Sequence, residues 1–337
     1  MTRVGILVNP SAARDIRRLV ARASSMSVTD RCAMIHRMLV GMGTMGVDQV
    51  LMMFDRAGIG GSIASECKDA VKRGDDLRLP EIRFLEMPVD GVPEDTLKAV
   101  RQMRESGVQT IVVLGGDGTH RLVAHECGSI PLVCVSTGTN NAFPQHYEAT
   151  VVGLAAGAMA MGGVSMDTAC RRSKRFACTI DDAPQIPALV DICVTTEQWV
   201  GARALWRPEH LQQLFLTFAE PGAIGLSAIG SLIQPVPRWD DAGLWVEFDA
   251  KADRSIHAPL APGLMKRVGI GDFRKIGVGQ KCVVVATGGT IAFDGEKEVE
   301  LSAGNRVEIT LLQDGPWIVD VATVMRCIGE AGLLAAG

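Results

Sequence analysis

Several things are missing from this chain of 337 residues, and each absence removes a class of function. There is no excess of positive charge: the formal net charge is −4 and the pI about 5.9. A polyanion such as DNA or RNA is therefore not the expected partner, because binding one relies on basic groups that displace its counterions. One local exception is Arg171-Arg172-Ser173-Lys174-Arg175, which reads as a solvated strand edge or turn. The nine cysteines form no CxxC pair, which argues against a zinc site or a disulfide framework. Reduced thiols in a reducing, cytoplasmic setting are the simpler expectation. The opening MTRVGILVNP lacks the charged and long apolar regions of a signal peptide. No repeat of fixed period is present. The glycine fingerprint of dinucleotide-binding folds fails too: Gly58-x-Gly60 follows a strand, but Ile63 stands at the third glycine position. No GxxxxGK[ST] occurs anywhere.

One stretch looks like a membrane span and is not read as one. Residues 149–166 carry no charge after Glu148 and before Asp167. They are mostly Ala, Gly and Met, with a GxxxG spacing at Gly153 and Gly157. A tightly packed soluble helix ending near Gly162-Gly163 is expected, and no membrane span.

What is present alternates. Val4–Val8 reads as a strand, followed by Asn9-Pro10-Ser11 and a helical pattern through Arg14–Val20. Strands are expected at Val50–Phe54, Pro80–Met87, Thr110–Leu114 and Ile130–Val135. Helices are expected after Ser62 to about Lys72, over Pro93–Ser106 and over His120–Glu126. Strand–helix alternation implies a parallel sheet with helices on both faces, whose ligand site lies beyond the carboxyl ends of the strands. Beyond about Met166 the pattern turns to short strands: Phe176–Ile180, Ala188–Thr195, Leu244–Phe248, Val268–Gly271, Lys281–Ala286 and Val307–Leu312. Arg203–Phe218 reads as a helix, as does Val319–Leu334. The expected organisation is an α/β nucleotide-binding domain over 1–165, rejoined by a C-terminal helix over 318–337, and a β-rich substrate domain over 166–317. A chain this long exceeds what one core usually supports.

Three segments carry candidate chemistry. In Gly115-Gly116-Asp117-Gly118-Thr119-His120 a buried strand delivers three glycines to a helix start. The backbone can then approach a ligand closely, and the first N–H groups of the helix can face phosphate oxygens. Asp117 is placed to hold Mg²⁺ or accept a proton from an attacking hydroxyl. The alternative is a tight turn with Asp117 as the helix N-cap. A second loop, Ser136-Thr137-Gly138-Thr139-Asn140-Asn141-Ala142-Phe143, also ends a buried strand and would lie beside the first. Its hydroxyls and amides suit a nucleotide; its alternative is a polar turn. The third segment is Thr287-Gly288-Gly289…Asp294-Gly295-Glu296, where Asp294-Gly295 is equally a hairpin turn signal. His120 adjoins the first loop, and His125 reads as structural. The methionines read as core filling.

Together these segments resemble the superfamily that joins NAD kinases with diacylglycerol and sphingosine kinases. Gly115–Thr119 matches its signature, and Asn9-Pro10 its opening motif. Thr137–Phe143 looks like the lipid-kinase form of the second loop, and Asp294-Gly295-Glu296 is similar to that branch's late acidic motif. The chain as a whole looks most like the NAD-kinase-like group associated with acetoin catabolism. The resemblance implies a phosphofructokinase-like α/β domain, a β-rich C-terminal domain and an active site between them. It implies ATP as phosphoryl donor with Mg²⁺ or Mn²⁺, and NAD or a related metabolite as acceptor. It implies Asp117, Asp294 and Glu296 as catalytic or metal-orienting groups. Around the nucleotide it implies Asn9, Gly115, Gly116, Gly118, Thr119, His120, Thr137, Gly138, Thr139, Asn140 and Asn141, with Asp191 toward the acceptor and a homo-oligomeric assembly. Two positions depart from the NAD-kinase pattern. Asn140-Asn141-Ala142-Phe143 replaces an aliphatic run, and Val190-Asp191 stands where an Asn-acid pair grips the dinucleotide. The functions to be separated are a small-molecule kinase, a lipid-alcohol kinase, and a nucleotide-binding accessory protein without turnover. An oxidoreductase ranks last.

Overall fold

The computed structural model describes residues 1–9, 26–73, 78–138, 141–197, 207–295 and 297–335. The expected helix over Arg14–Val20 lies outside them. Five short strands, β1 (Arg3–Val8), β2 (Gln49–Met52), β3 (Glu81–Phe84), β4 (Thr110–Gly115) and β5 (Leu132–Ser136), pair in parallel in the order β3-β2-β1-β4-β5. The central ones are apolar almost throughout because both faces are covered. Alternate side chains divide between two cores. Val4, Ile6, Val112, Leu114, Val133 and Val135 face one, while Leu7, Ile111, Val113, Leu132 and Cys134 face the other.

Helices α1 (Val28–Thr44), α2 (Ile59–Arg73) and α5 (Ala149–Ala160) cover the first face. Helices α3 (Pro93–Glu105) and α4 (Asp117–Glu126) cover the second. Helix α1 was not anticipated from sequence. Its start is a capping box in which Ser27 and Asp30 satisfy each other's backbone N–H. Helix α5 has the expected character. It ends at Ala160, with Gly162 at φ +71°, and packs on α1 through its glycines. Among the described residues no helix is long and apolar enough to cross a membrane.

After the short helix α6 (Met166–Ala169), β6 (Cys170–Arg172) forms the edge of the same sheet. It pairs with β18 (Trp317–Val319), which lies parallel to β5 and leads into helix α8 (Val321–Glu330). The sheet edge expected at the basic cluster is thus present, but the cluster is not uniformly solvated. Ser173 and Lys174 are buried. The Lys174 ammonium donates to the carbonyls of Pro237 and Ala242, and burial pulls its pKa down to about 8.

The rest is strand-rich. One antiparallel sheet runs in the order β12-β13-β11-β10-β9-β15-β16. Its strands are β9 (Asp191–Thr195), β10 (Leu211–Leu216), β11 (Ala242–Phe248), β12 (Ser255–Ala261), β13 (Leu264–Gly277), β15 (Gly289–Phe293) and β16 (Lys297–Leu301). A smaller sheet contains β14 (Lys281–Val285), β17 (Arg306–Leu312), β7 (Arg175–Ile180) and β8 (Ile186–Ala188). Helix α7 (Leu226–Ile233) packs on the larger sheet.

Two expectations are corrected here. The described part of Arg203–Phe218 is a single 3-10 turn over Pro208–His210 and then β10, not a helix. Leu214 and Leu216 enter one core and Phe215 the other, a period of two, and the backbone pairs with both β9 and β11. An apolar run of this length is ambiguous by periodicity, and pairing on both sides decided it. The strand expected over Ala188–Thr195 is in fact two, broken at Leu189-Val190, where the backbone N–H groups turn to a side chain described below.

Candidate active site

Strand order reverses between β1 and β4, so their carboxyl ends open into the crevice where ligands bind on such sheets. Two of the candidate loops meet there. Asn9, just past β1, donates its backbone N–H to the Leu114 carbonyl at 3.0 Å and its side-chain amide to Thr119 Oγ1 at 2.9 Å. Gly115 has to be glycine: a Cβ there would stand 2.6 Å from the Thr119 Cβ.

Helix α4 begins a turn earlier than its apolar periodicity indicated, at Asp117 rather than His120. Gly116 is the N-cap and supplies no side-chain cap bond. Asp117 is therefore not the N-cap of its own helix. Its carboxylate instead accepts from the backbone N–H of Ala142, at 3.1 Å to each oxygen, and of Phe143 at 2.8 Å. The first N–H groups of α4 have no acceptor within the helix, and the helix dipole adds positive potential at that end. The acidic residue of the first loop thus holds the second loop in place.

The second loop is gripped from its other side by Arg238, which sequence reasoning did not identify. Its guanidinium donates to the carbonyls of Phe143 at 2.6 Å and Ala142 at 2.8 Å. The same group pairs with Glu220 at 3.1 Å and stacks 4.3 Å from the Phe218 ring centroid. Residues 142 and 143 thus give their N–H groups to Asp117 and their carbonyls to an arginine of the strand-rich part. Deeper in, Asn141 donates to Ser136 Oγ at 2.9 Å, and that hydroxyl donates to the Gly138 carbonyl at 3.1 Å. Thr137 is buried with its hydroxyl unsatisfied by protein. Thr139 and Asn140 lie outside the described residues.

His120 does not face the crevice. It is fully buried beneath the loop, donating Nδ1–H to the Gly116 carbonyl at 2.8 Å and packing near the Phe143 ring. Burial drives its pKa down to about 4, and the nearby Arg238 charge acts in the same direction.

The third segment arrives from the strand-rich part. Asp294 and Gly295 take positive φ in the turn from β15 to β16, the hairpin geometry that the sequence suggested. Asp294 is nevertheless no ordinary turn residue. Its carboxylate is wholly enclosed and accepts the backbone N–H groups of Leu189, Val190 and Asp191 at 2.8–3.2 Å. These bonds break the predicted strand in two. Burial raises the Asp294 pKa, opposed by Arg121 and by the three N–H donors. Arg121 lies one helical turn beyond Asp117, with its Nε 3.5 Å from Asp294 Oδ2. Helix α4 therefore links the first and third segments. Thr217 closes the back of the 189–191 turn by donating to the Leu189 carbonyl at 2.6 Å. Asp191 is buried at the start of β9, and Glu296 lies outside the described residues.

Among the described residues no group of three or more acidic, histidine or cysteine side chains is placed to hold a metal by itself.

Comparison with known proteins matches two stretches of the chain to family models. Residues 4–162 match the ATP-NAD kinase N-terminal domain, and residues 174–314 match the acetoin catabolism protein X C-terminal domain. Acetoin catabolism protein X of Cupriavidus necator is 40% identical, over 98% of this chain and 93% of that protein. Among solved structures, a Xaa-Pro dipeptidase with bound methionine overlaps 48% of this chain and 41% of its own. Its identity is 14% and its TM-score 0.17, too low to bear on the fold.

Proposed function

The chain belongs to the acetoin catabolism protein X family, with an ATP-NAD kinase N-terminal domain, and from that premise we propose that it is an ATP-dependent kinase acting on a hydroxyl of a small molecule. The carrying observation is the Asp117 carboxylate, which joins the glycine loop to the second loop at the reversal point of the sheet. Phosphoryl transfer needs positioning and charge neutralisation more than covalent chemistry. In this reading the N–H groups at the start of α4 receive donor phosphate oxygens. Asn9 keeps Thr119 in place, and the Thr137 hydroxyl is available to the nucleotide. Asp117 takes the proton of the acceptor hydroxyl. Mg²⁺ or Mn²⁺ carried in on ATP would neutralise the phosphate charge. Asp294 acts by position, setting Arg121 and the 189–191 turn, because its own oxygens are enclosed. The acceptor lies toward Asp191, between a 1–165 nucleotide lobe and a 166–317 substrate lobe.

The name of the Cupriavidus relative adds acetoin-related diols to NAD as acceptors to test. The experiment is incubation with ATP and Mg²⁺ or Mn²⁺ against NAD, such diols and diacylglycerol, with product mass as the readout. A phosphorylated soluble acceptor is expected. Asp117→Asn should lower turnover about a hundredfold or more while melting only slightly earlier. Unchanged turnover in that variant would remove Asp117 from the chemistry. If ATP raises the melting temperature but no acceptor is modified, the protein is a nucleotide-binding accessory.

A further inference from the structure

On the side of α4 turned toward the strand-rich part lies a cavity of about 290 Å³. Arg121 and His125 line it from α4, Arg172 from the edge strand β6, Arg175 from the small sheet, Gln185 from the loop before β8, and Asp314 from the turn before β18. Three guanidinium groups share this cavity with one carboxylate. Arg175 donates from Nη2 to one oxygen of that carboxylate at 2.8 Å and forms an ion pair with the other, its Nε standing 2.8 Å away. Arg172 donates only weakly nearby, to the Asp314 carbonyl at 3.2 Å, and its Nε is buried without a hydrogen-bond partner. The Arg121 Nε is in the same condition: it stands 3.5 Å from Asp294 but makes no hydrogen bond.

Buried guanidinium donors without acceptors are unfavourable by themselves, and an oxyanion is the group whose geometry satisfies them. We infer that this cavity is a binding site for a small oxyanion metabolite, bearing a phosphate or carboxylates, that bridges Arg121 and Arg172. At about 30 Å³ for each water-sized group, the space holds roughly ten heavy atoms. The site uses the Arg171–Arg175 cluster, which the proposed kinase chemistry leaves without a role. It is distinct from the glycine loop but not isolated from it. An anion drawn to Arg121 competes with Asp294 for that guanidinium, one helical turn from Asp117. Occupancy therefore alters the same helix that presents the phosphate loop.

The inference does not require turnover, so its test is direct binding. The full-length protein is titrated calorimetrically with orthophosphate, glycerol 3-phosphate and succinate, in saturating non-hydrolysable ATP analogue so that the glycine loop is already filled. At least one probe should bind in the millimolar range or tighter. The two phosphates against succinate separate phosphoryl from carboxylate recognition. Arg172→Met should weaken that binding about tenfold or more, the usual consequence of losing a charge-assisted contact. Gln185→Glu keeps the acceptor for Arg175 at 3.3 Å and every arginine, but adds negative charge to the cavity. It should weaken binding similarly, and it decides the matter if Arg172→Met does not fold. Affinity for the ATP analogue should be unchanged in both variants. The inference is overturned if no probe binds, if the analogue displaces the probe, or if Gln185→Glu binds as tightly as the wild type.

Discussion

His120 sits next to the glycine loop in sequence and beneath it in space. As a neutral imidazole with Nδ1–H on the Gly116 carbonyl, it supports the loop from inside. Its pKa of about 4, against 6.5 in an open chain, has a definite consequence. Below pH 6.5 the unfolded chain binds a proton at this position that the folded protein refuses, so stability present above pH 6.5 is lost as the pH falls through 4. The gap corresponds to about 3 kcal/mol at most. Urea unfolding at pH 7 and at an acidic pH near 4.5 should show His120→Gln losing roughly 2 kcal/mol less than the wild type. Equal losses would mean that the imidazole is not enclosed. Arg238 is the converse case. Nothing in the local run of Pro237, Arg238 and Trp239 distinguishes it, yet it holds residues 95 and 96 positions away. Lysine cannot reproduce a planar fork that meets two carbonyls and a carboxylate at once. Arg238→Lys is expected to lose about 1–3 kcal/mol in urea unfolding and to raise KM for ATP more than it lowers kcat. An unchanged KM would separate the second loop from nucleotide binding.

Among elements, the pairing of α1 with α5 shows how composition can mislead and geometry explain. The long uncharged stretch was legible as a packed helix because its glycines recur on one face. What it packs against was not legible, because the partner α1 was not identified. A Cβ at Gly153 would stand 2.2 Å from the Met38 carbonyl oxygen, and one at Gly41 would stand 2.5 Å from the Thr150 carbonyl oxygen. These contacts are with backbone, which cannot swing aside. Gly153→Ala gains about 1 kcal/mol of helix propensity, but it must separate two helices that are packed without voids. Net destabilisation of about 1–3 kcal/mol is expected, seen as a lower melting temperature. A higher melting temperature would show that α1 and α5 are not in backbone contact. Strand β10 makes a related point. Its six residues satisfy helical spacing as readily as strand spacing, and the choice came from neighbours at Asp191–Thr195 and Ala242–Phe248 that lie elsewhere in the chain.

For the whole molecule, the decisive connection is Asp294. It joins the β15–β16 turn to the backbone of residues 189–191 and, through Arg121, to the helix that carries Asp117. Removing the carboxylate leaves three buried N–H groups without their acceptor and a buried guanidinium without its counter-charge. Asp294→Ala should therefore cost about 3–5 kcal/mol, the range for breaking a buried charged network from one side. Calorimetry should show the loss, together with reduced stabilisation by ATP. A variant that melts with the wild type would show that the two parts of the chain are coupled by some other route. The return of the chain through Trp317–Val319 adds a second tie, since this late strand pairs with both β5 and β6.

The alternation of strands and helices, the glycine loop at residues 115–119 and the Asp294-Gly295 turn were all readable in order along the chain. Each is a local matter: side-chain periodicity, backbone freedom and turn preference act over a few residues. The sequence by itself determined most of the strand–helix alternation of the first half and where glycine-rich loops end its strands. Only the tertiary structure decided that Asp117 holds the neighbouring loop, that His120 faces inward, that Asp294 is an enclosed anchor, and that Arg238 and Arg121 tie the two halves of the chain together. Those assignments depend on hydrogen bonds and ion pairs between residues far apart in sequence. Such bonds leave no periodic pattern, because a buried polar group is satisfied by whichever partner the packed chain brings within 3 Å or so.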